Sequence, residues 1–138
     1  MAALDQRLVD AAIAMATKQW PTGEGGAAAA YTSTGRILTS VFVDSPLDSA
    51  RLCHETGAIC EAHRLDEAIT ASVCVHRESG DAPFLILPPC GLCVERLSFW
   101  GRAVQVAVPI AASSGAWAAK RLDELQPFCW WEAWTPAD

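Results

Sequence analysis

Two short strings constrain this chain more than any other feature: Cys53-His54-Glu55 and Pro89-Cys90-Gly91-Leu92-Cys93. Each stands where the surrounding pattern predicts the start of a helix. The first turn of a helix carries unpaired N–H groups and a partial positive charge, which favour thiolate over thiol. Cys90 and Cys93, three apart at such a start, can both reach one ion, and Cys53 from a second helix supplies a third thiolate. Three protein ligands leave one tetrahedral position open for water, as in a catalytic zinc site, whereas a structural site is closed by a fourth ligand. The expected cofactor is therefore Zn2+, one per subunit.

Glu55 lies two residues beyond Cys53, so it can stand beside the metal without binding it. A carboxylate there can take a proton from a water and return it to a leaving group. If His54 replaced Cys53 as ligand, the residue two further on would be Thr56, which cannot act as a base. His54 is expected to line the pocket instead.

The rest of the composition narrows the class of partner. Hydrophobic residues make up 51% of the 138 and charged residues 19%, which excludes disordered and fibrous chains. Ten basic and sixteen acidic residues give a net charge of −6, and no basic stripe suited to a phosphate backbone appears. A small-molecule substrate is expected, with no nucleic acid partner. No apolar run reaches the ~18 residues of a membrane span. Ala14-Met15-Ala16 resembles a signal-peptidase site, but Asp5 and Asp10 interrupt what precedes it, so a cytoplasmic protein is expected. The six cysteines are too sparse for a small disulfide scaffold.

Along the chain, Leu4 to Trp20 carries a helical spacing of apolar residues that Pro21 stops. Ala27 to Tyr31 and Arg36 to Asp44 flank the turn Thr32-Ser33-Thr34-Gly35 and read as a hairpin. Cys53 to Glu67 reads helical, Ser72 to Val75 as a short strand, and Glu78 to Pro88 as a loop around the apolar patch Phe84-Leu85-Ile86-Leu87. Cys90 to Trp100 reads as a helix ended by Gly101. Ala103 to Pro109 and Ala116 to Leu122 read as strands, and Asp123 to Leu125 as a helical turn. This order suggests one domain over residues 1–138, a three-layer α/β/α arrangement around a five-stranded mixed sheet.

A Cys or His, any residue, Glu, and a later Pro-Cys-x-x-Cys form the signature of the zinc deaminases. The chain resembles the cytidine deaminase family, in its small three-cysteine branch that includes blasticidin-S deaminases. Gly25-Gly26-Ala27-Ala28-Ala29-Ala30 with Gly35-Arg36-Ile37 is similar to the family's first hairpin, and Leu122 to Phe128 to its C-terminal stretch. The resemblance implies a zinc-dependent aminohydrolase, a pyrimidine contact from the His54 backbone N–H, and a Pro89 carbonyl that orients the substrate amine. It also implies a homotetramer in which a C-terminal aromatic, here Phe128, closes a neighbour's pocket. Phe128, Trp130, Trp131 and Trp134 exceed what a small apolar domain readily buries, which points the same way.

The chain departs from the family pattern where the sugar is held. Phe42-Val43-Asp44 stands in place of an Asn-x-Glu ribose grip, leaving Asp44 with a shorter reach and Phe42 without an amide. Thr22-Gly23-Glu24-Gly25 replaces a base-stacking Tyr-Ser-x-Phe, and Thr56 replaces an Arg, leaving Arg51, Arg96 or helix dipoles to offset the thiolates. Cys60, Cys74 and Cys129 read as small buried hydrophobes, and His76-Arg77-Glu78 as a surface loop. The expected activity is hydrolytic deamination of a cytidine-like nucleoside, a nucleoside antibiotic such as blasticidin S, or a related aminopyrimidine. The alternative is a catalytically silent, zinc-stabilised binding protein of the same fold.

Overall fold

Alanine is a poor strand former, yet Gly25-Gly26-Ala27-Ala28-Ala29-Ala30 makes the second strand in from one edge of the sheet. The computed structural model describes residues 3–136, and in it β1 (Gly25–Thr32) is buried along its whole length. It pairs antiparallel with β2 (Ile37–Val41) on one side and β3 (Ile69–Arg77) on the other. Small side chains let elements approach both faces of this strand, so tertiary packing overrides the low propensity.

The remaining strands are β4 (Leu85–Ile86), β5 (Gln105–Pro109) and β6 (Trp117–Arg121), and the sheet order is β2-β1-β3-β5-β6. β3 and β5 run parallel, and the other pairs are antiparallel. The sheet is mixed, with five strands on the main path as expected. The two-residue β4 lies beside β3, pairing Val75 with Ile86 and His76 with Leu85. Part of the segment expected to be a loop is therefore a strand. β3 is also longer than Ser72 to Val75, which moves His76 and Arg77 out of the expected surface loop and into the sheet.

Arg77 explains that extension. Its Nη2 donates to the Trp20 carbonyl at 2.8 Å, and its guanidinium lies 4.7 Å from the Phe84 ring centroid. A charged side chain is thus accommodated at the strand end by a carbonyl and an aromatic face.

Helix α1 (Gln6–Gln19) covers one face. Asp5 caps it, its Oδ1 accepting from the Leu8 N–H at 3.1 Å, and the same oxygen accepts from the Tyr31 hydroxyl at 2.8 Å. Leu8, Val9, Ala12 and Ala16 pack there against Ala27, Ala29, Tyr31, Ala71, Val73 and Val75. α2 (Thr56–Leu65) and α3 (Gly91–Leu97) cover the other face, where Ala58, Ile59, Ala62, Val94 and Leu97 pack with Ala30, Val106 and Leu122. The result is α/β/α layering. α2 ends on Asp66 in the left-handed region, φ 55°, and a short 3-10 turn after α3 ends on Gly101, φ 108°. α4 (Leu122–Leu125) follows β6 directly.

Alternation along the sheet decides what faces α2 and α3. Odd positions of β3 (Ala71, Val73, Val75) fill the α1 core, so Cys74 and His76 point the other way. Opposite them in register stand Ala28 and Gly26. Small residues on β1 thus leave room over the sheet for chemistry-bearing side chains. Among the described residues, no helix is long and apolar enough to cross a membrane.

Candidate active site

The two cysteine strings lie at the starts of α2 and α3, as the sequence suggests, with α2 beginning at Thr56, three residues later than expected. Cys90 is the N-cap of α3. Ser40 Oγ donates to the His54 carbonyl at 2.5 Å, tying the chain before α2 to β2. Gly57 permits that close docking, since a Cβ on it would stand 2.7 Å from Ser40 Cβ.

This arrangement brings Cys53, Cys90 and Cys93 together, their sulfurs all within 4.8 Å of one another. Cys53 Sγ and Cys90 Sγ are 3.3 Å apart, and all three cysteines are free. Sulfurs sharing a tetrahedral zinc at ~2.3 Å would stand about 3.8 Å apart, whereas a disulfide would require about 2.05 Å. The set is compatible with a metal ion and is not a covalent bridge.

Electrostatics agree with that donor chemistry. Burial pushes the Cys93 thiol up, and the charge of Glu55 pushes it further. Cys53 is likewise raised, by burial first and then by its contact with Cys90. Burial also acts to raise Cys90, but the N–H groups of Cys93 and Leu92, with the Cys53 contact, outweigh it and leave this thiol lowered. The helix start therefore favours one thiolate, while the crowding of three sulfurs and a carboxylate is a charge problem that a divalent cation would relieve.

Glu55 is 4% exposed and faces a small cavity of about 90 Å³ with Cys53, His54, Cys74, Pro88 and Cys90. Its carboxylate lies within 4.8 Å of the His54 ring nitrogen and Cys74 sulfur. Burial, then the Glu55 charge, raises the Cys74 thiol well above its usual range, so it stays protonated. Thus Glu55 is held dry beside the three sulfurs, where a carboxylate can shuttle a proton.

The small cavity shares Cys53 and His54 with an outer cleft of about 480 Å³, lined also by Glu24, Phe42, Asp44, Arg51 and His76. His54 Nε2 and His76 Nδ1 are 3.0 Å apart, and His76 Nε2 is 3.3 Å from Glu24 Oε1. Phe42 packs on both imidazoles and stacks on Trp20, with centroids 4.8 Å apart and planes 14° from parallel. Burial, with the neighbouring His76 second, pulls His54 down to about 4, so its ring is neutral near pH 7.

Phe42, Asp44 and His54 line the cleft, but the other expected contacts lie elsewhere. Pro89 borders a separate depression with Gly91, Glu95 and Gln126, and Pro88 takes the place beside Glu55. Phe128 is 89% exposed and lines neither cavity of the site. Cys74 and Cys129 are buried as expected, whereas Cys60 is exposed, because it falls on the outer side of α2. Arg51 is taken up by Asp44 and Asp48, while Arg96 Nη1 donates to Thr56 Oγ1 at 3.4 Å, beside the start of α2. His76 and Glu24 were not legible as site residues. The signal for His76 was its even position on a strand shared with Cys74.

The chain matches no family model and no curated protein. Among solved structures, the cytidine deaminase from Bacillus anthracis is 42% identical, covering 94% of this chain and 91% of its own, with a TM-score of 0.86. The chain belongs to the cytidine deaminase family. A single-substitution variant of the cytidine deaminase from Mycobacterium tuberculosis is 25% identical over 91% of this chain and 94% of its own, at a TM-score of 0.70. The cytidine deaminase from Mycobacterium leprae, at 22% identity, covers 89% and 97% with a TM-score of 0.71 and shares the fold. In this member of the family, the small cavity lined by Glu55, Cys53 and Cys90, with the Cys93 sulfur close by, is the candidate catalytic centre.

Proposed function

We propose that the protein is a zinc-dependent hydrolytic deaminase of a cytosine-like ring, free or in a nucleoside. The observation that carries this reading is the convergence of Cys53, Cys90 and Cys93 around one point, with Glu55 buried beside them. Cys53, Cys90 and Cys93 would hold the ion. Zinc bound there would supply the activation of a water near neutral pH.

Glu55 takes the proton released by that water and delivers it to the ring nitrogen next to the amine-bearing carbon. After the new C–O bond forms, the same carboxylate takes the second proton from the added hydroxyl and passes it to the amino group. The C–N bond then breaks, ammonia leaves and the ring carries an oxo group. The burial of Glu55 supports this role, since a site that excludes water directs proton transfer to the substrate. His54 fixes the pocket wall, its backbone N–H turned to the ring carbonyl. Phe42 and Asp44 border the space taken by the group attached to the ring.

Cytidine, a nucleoside antibiotic of the blasticidin S type and simpler aminopyrimidines are the candidate substrates. Exposed Phe128, Trp130 and Trp134 near the C-terminus support assembly into a homotetramer, with Phe128 closing a neighbour's pocket. Glu55 has no use in a silent zinc-stabilised binding protein, which weighs against that alternative. Ammonia release from cytidine, deoxycytidine, cytosine and blasticidin S is the test. Turnover of at least one is expected, and a zinc-loaded protein inert to all four would overturn the reading.

A further inference from the structure

The Cys74 thiol and the His54 ring line the inner cavity beside Glu55, yet the deamination steps leave both unused. One imidazole nitrogen of His54, one carboxylate oxygen of Glu55 and the Cys74 sulfur lie within 4.8 Å of one another. Ligands of these three kinds on a tetrahedral zinc stand about 3.3–3.6 Å apart, so small side-chain shifts bring the set onto one ion. None of the three belongs to the group Cys53, Cys90 and Cys93.

The fold prepares His54 as a donor. A carboxylate accepts only, so His76 Nε2, 3.3 Å from Glu24 Oε1, carries the proton there. With both rings neutral, His76 Nδ1 then accepts from His54 Nε2–H at 3.0 Å. His54 Nδ1 keeps its lone pair and has no partner among the described residues. An imidazole that donates from one nitrogen to a fixed acceptor is held in the tautomer that binds a metal through the other. A Cβ on Gly26 would stand 2.5 Å from both meeting nitrogens, and Phe42 packs on both rings, so the pair is held in place.

Cys74 is placed as firmly. It lies opposite Ala28 at an even position of β3, on the side of the sheet that α2 and α3 cover. Imidazole, carboxylate and thiolate together suit zinc and its transition-metal neighbours, whereas Mg2+ takes oxygen ligands. The cavity, at about 90 Å³, has room for an ion and a water, at ~30 Å³ per water. Three thiolates on one dication leave the neighbouring centre net negative, and Glu55 adds to that charge, so a second dication is attracted here.

We propose that His54, Glu55 and Cys74 form a second divalent-cation site, filled by zinc in excess, that switches the deaminase off. On binding, the Cys74 thiol releases its proton to solvent and the sulfur joins the ion. The Glu55 carboxylate becomes a ligand and no longer moves protons, and the ion takes the space of the substrate's ring edge. One thiolate binds zinc less strongly than three, so this site fills after the first and empties on desalting. The inhibition rests on the deaminase reading, whereas the binding does not.

Protein carrying one zinc per chain is titrated calorimetrically with Zn2+ and assayed for ammonia release from cytidine over the same range. Wild type is expected to take up a second equivalent, with activity falling about a hundredfold at saturation, as for loss of a proton-transfer group. Mg2+ at the same concentrations should leave activity within about twofold. Cys74→Ala should take up no second equivalent and should keep its activity within about twofold of its own one-zinc value. Cys60→Ser, whose cysteine is exposed on α2, should behave as wild type.

Should Cys74→Ala fold poorly, Co2+ gives a second measurement, because it binds such sites more weakly than zinc and leaves the first ion in place. On zinc-loaded Cys60→Ser it should produce a thiolate-to-cobalt absorption band that grows as activity falls. No second equivalent, a second equivalent that survives in Cys74→Ala, a filled second site with activity intact, or equal inhibition by Mg2+ would overturn the proposal. A one-zinc wild type that releases no ammonia from any aminopyrimidine contradicts the deaminase reading instead, and the two titrations then decide the site alone.

Discussion

His54 Nε2 and His76 Nδ1 meet 3.0 Å apart over Gly26, a strand position where no side chain fits. Glycine here is a matter of close approach. The added methyl of Gly26→Ala would press on a backbone carbonyl as well as on two rings held by aromatic neighbours. Overpacking of this kind costs about 2 kcal/mol, or roughly 8 °C in Tm for a chain of this size. Thermal unfolding followed by circular dichroism checks it, and an unchanged Tm would mean the histidines can part freely.

Asp5 serves two elements through one oxygen, capping α1 and accepting from the buried Tyr31 hydroxyl. Asp5→Ala removes a cap and leaves a buried hydroxyl unpaired, costing about 2–3 kcal/mol in total. Adding Tyr31→Phe removes the stranded hydroxyl and should restore about 1 kcal/mol. Urea unfolding of the two single variants and the double variant measures this coupling, and simple additivity would contradict it.

The three sulfurs predict a metal-linked stability. A protein that binds zinc only when folded gains stability from it, so chelation should lower Tm. Cys90→Ser and Cys93→Ser should lose the ion. Cys60→Ser, on the exposed side of α2, should keep it. Atomic absorption on each purified variant decides the point, and retention of zinc by Cys93→Ser would place the ion elsewhere.

The site was legible where its chemistry is local. Cys53, Glu55, Cys90 and Cys93 could be read because a thiolate at a helix start and a carboxylate two residues beyond it leave a signature in consecutive residues. His76 and Glu24 escaped because they meet through sheet register: Gly26 pairs with His76 across β1 and β3, which brings the preceding loop alongside. His76 is followed by Arg77-Glu78-Ser79-Gly80, a polar run that imitates a loop, and Arg77 stays in the strand through the Trp20 carbonyl and Phe84. β4 escaped because two residues carry no period. The layering was legible, since the helical spacing of α1 and the turn Thr32-Ser33-Thr34-Gly35 between β1 and β2 follow from pattern alone.

The exposed aromatic rings at the C-terminus predict self-association. Trp130 and Trp134 face each other with centroids 5.9 Å apart while both remain largely exposed, as does Phe128. Light scattering is expected to give a homotetramer, and Phe128→Ala combined with Trp134→Ala should shift it toward smaller species. A monodisperse wild-type monomer would contradict the assembly.

Zinc content and ammonia release, measured on the same preparations of wild type and Glu55→Ala, test the central claim most directly. Both should carry about one zinc per chain, since Glu55 is no part of the three-sulfur set. Only the wild type should release ammonia at an appreciable rate, with a loss in the variant on the order of 10³-fold. A Glu55→Ala protein that keeps its zinc and still turns over at the wild-type rate would contradict the account.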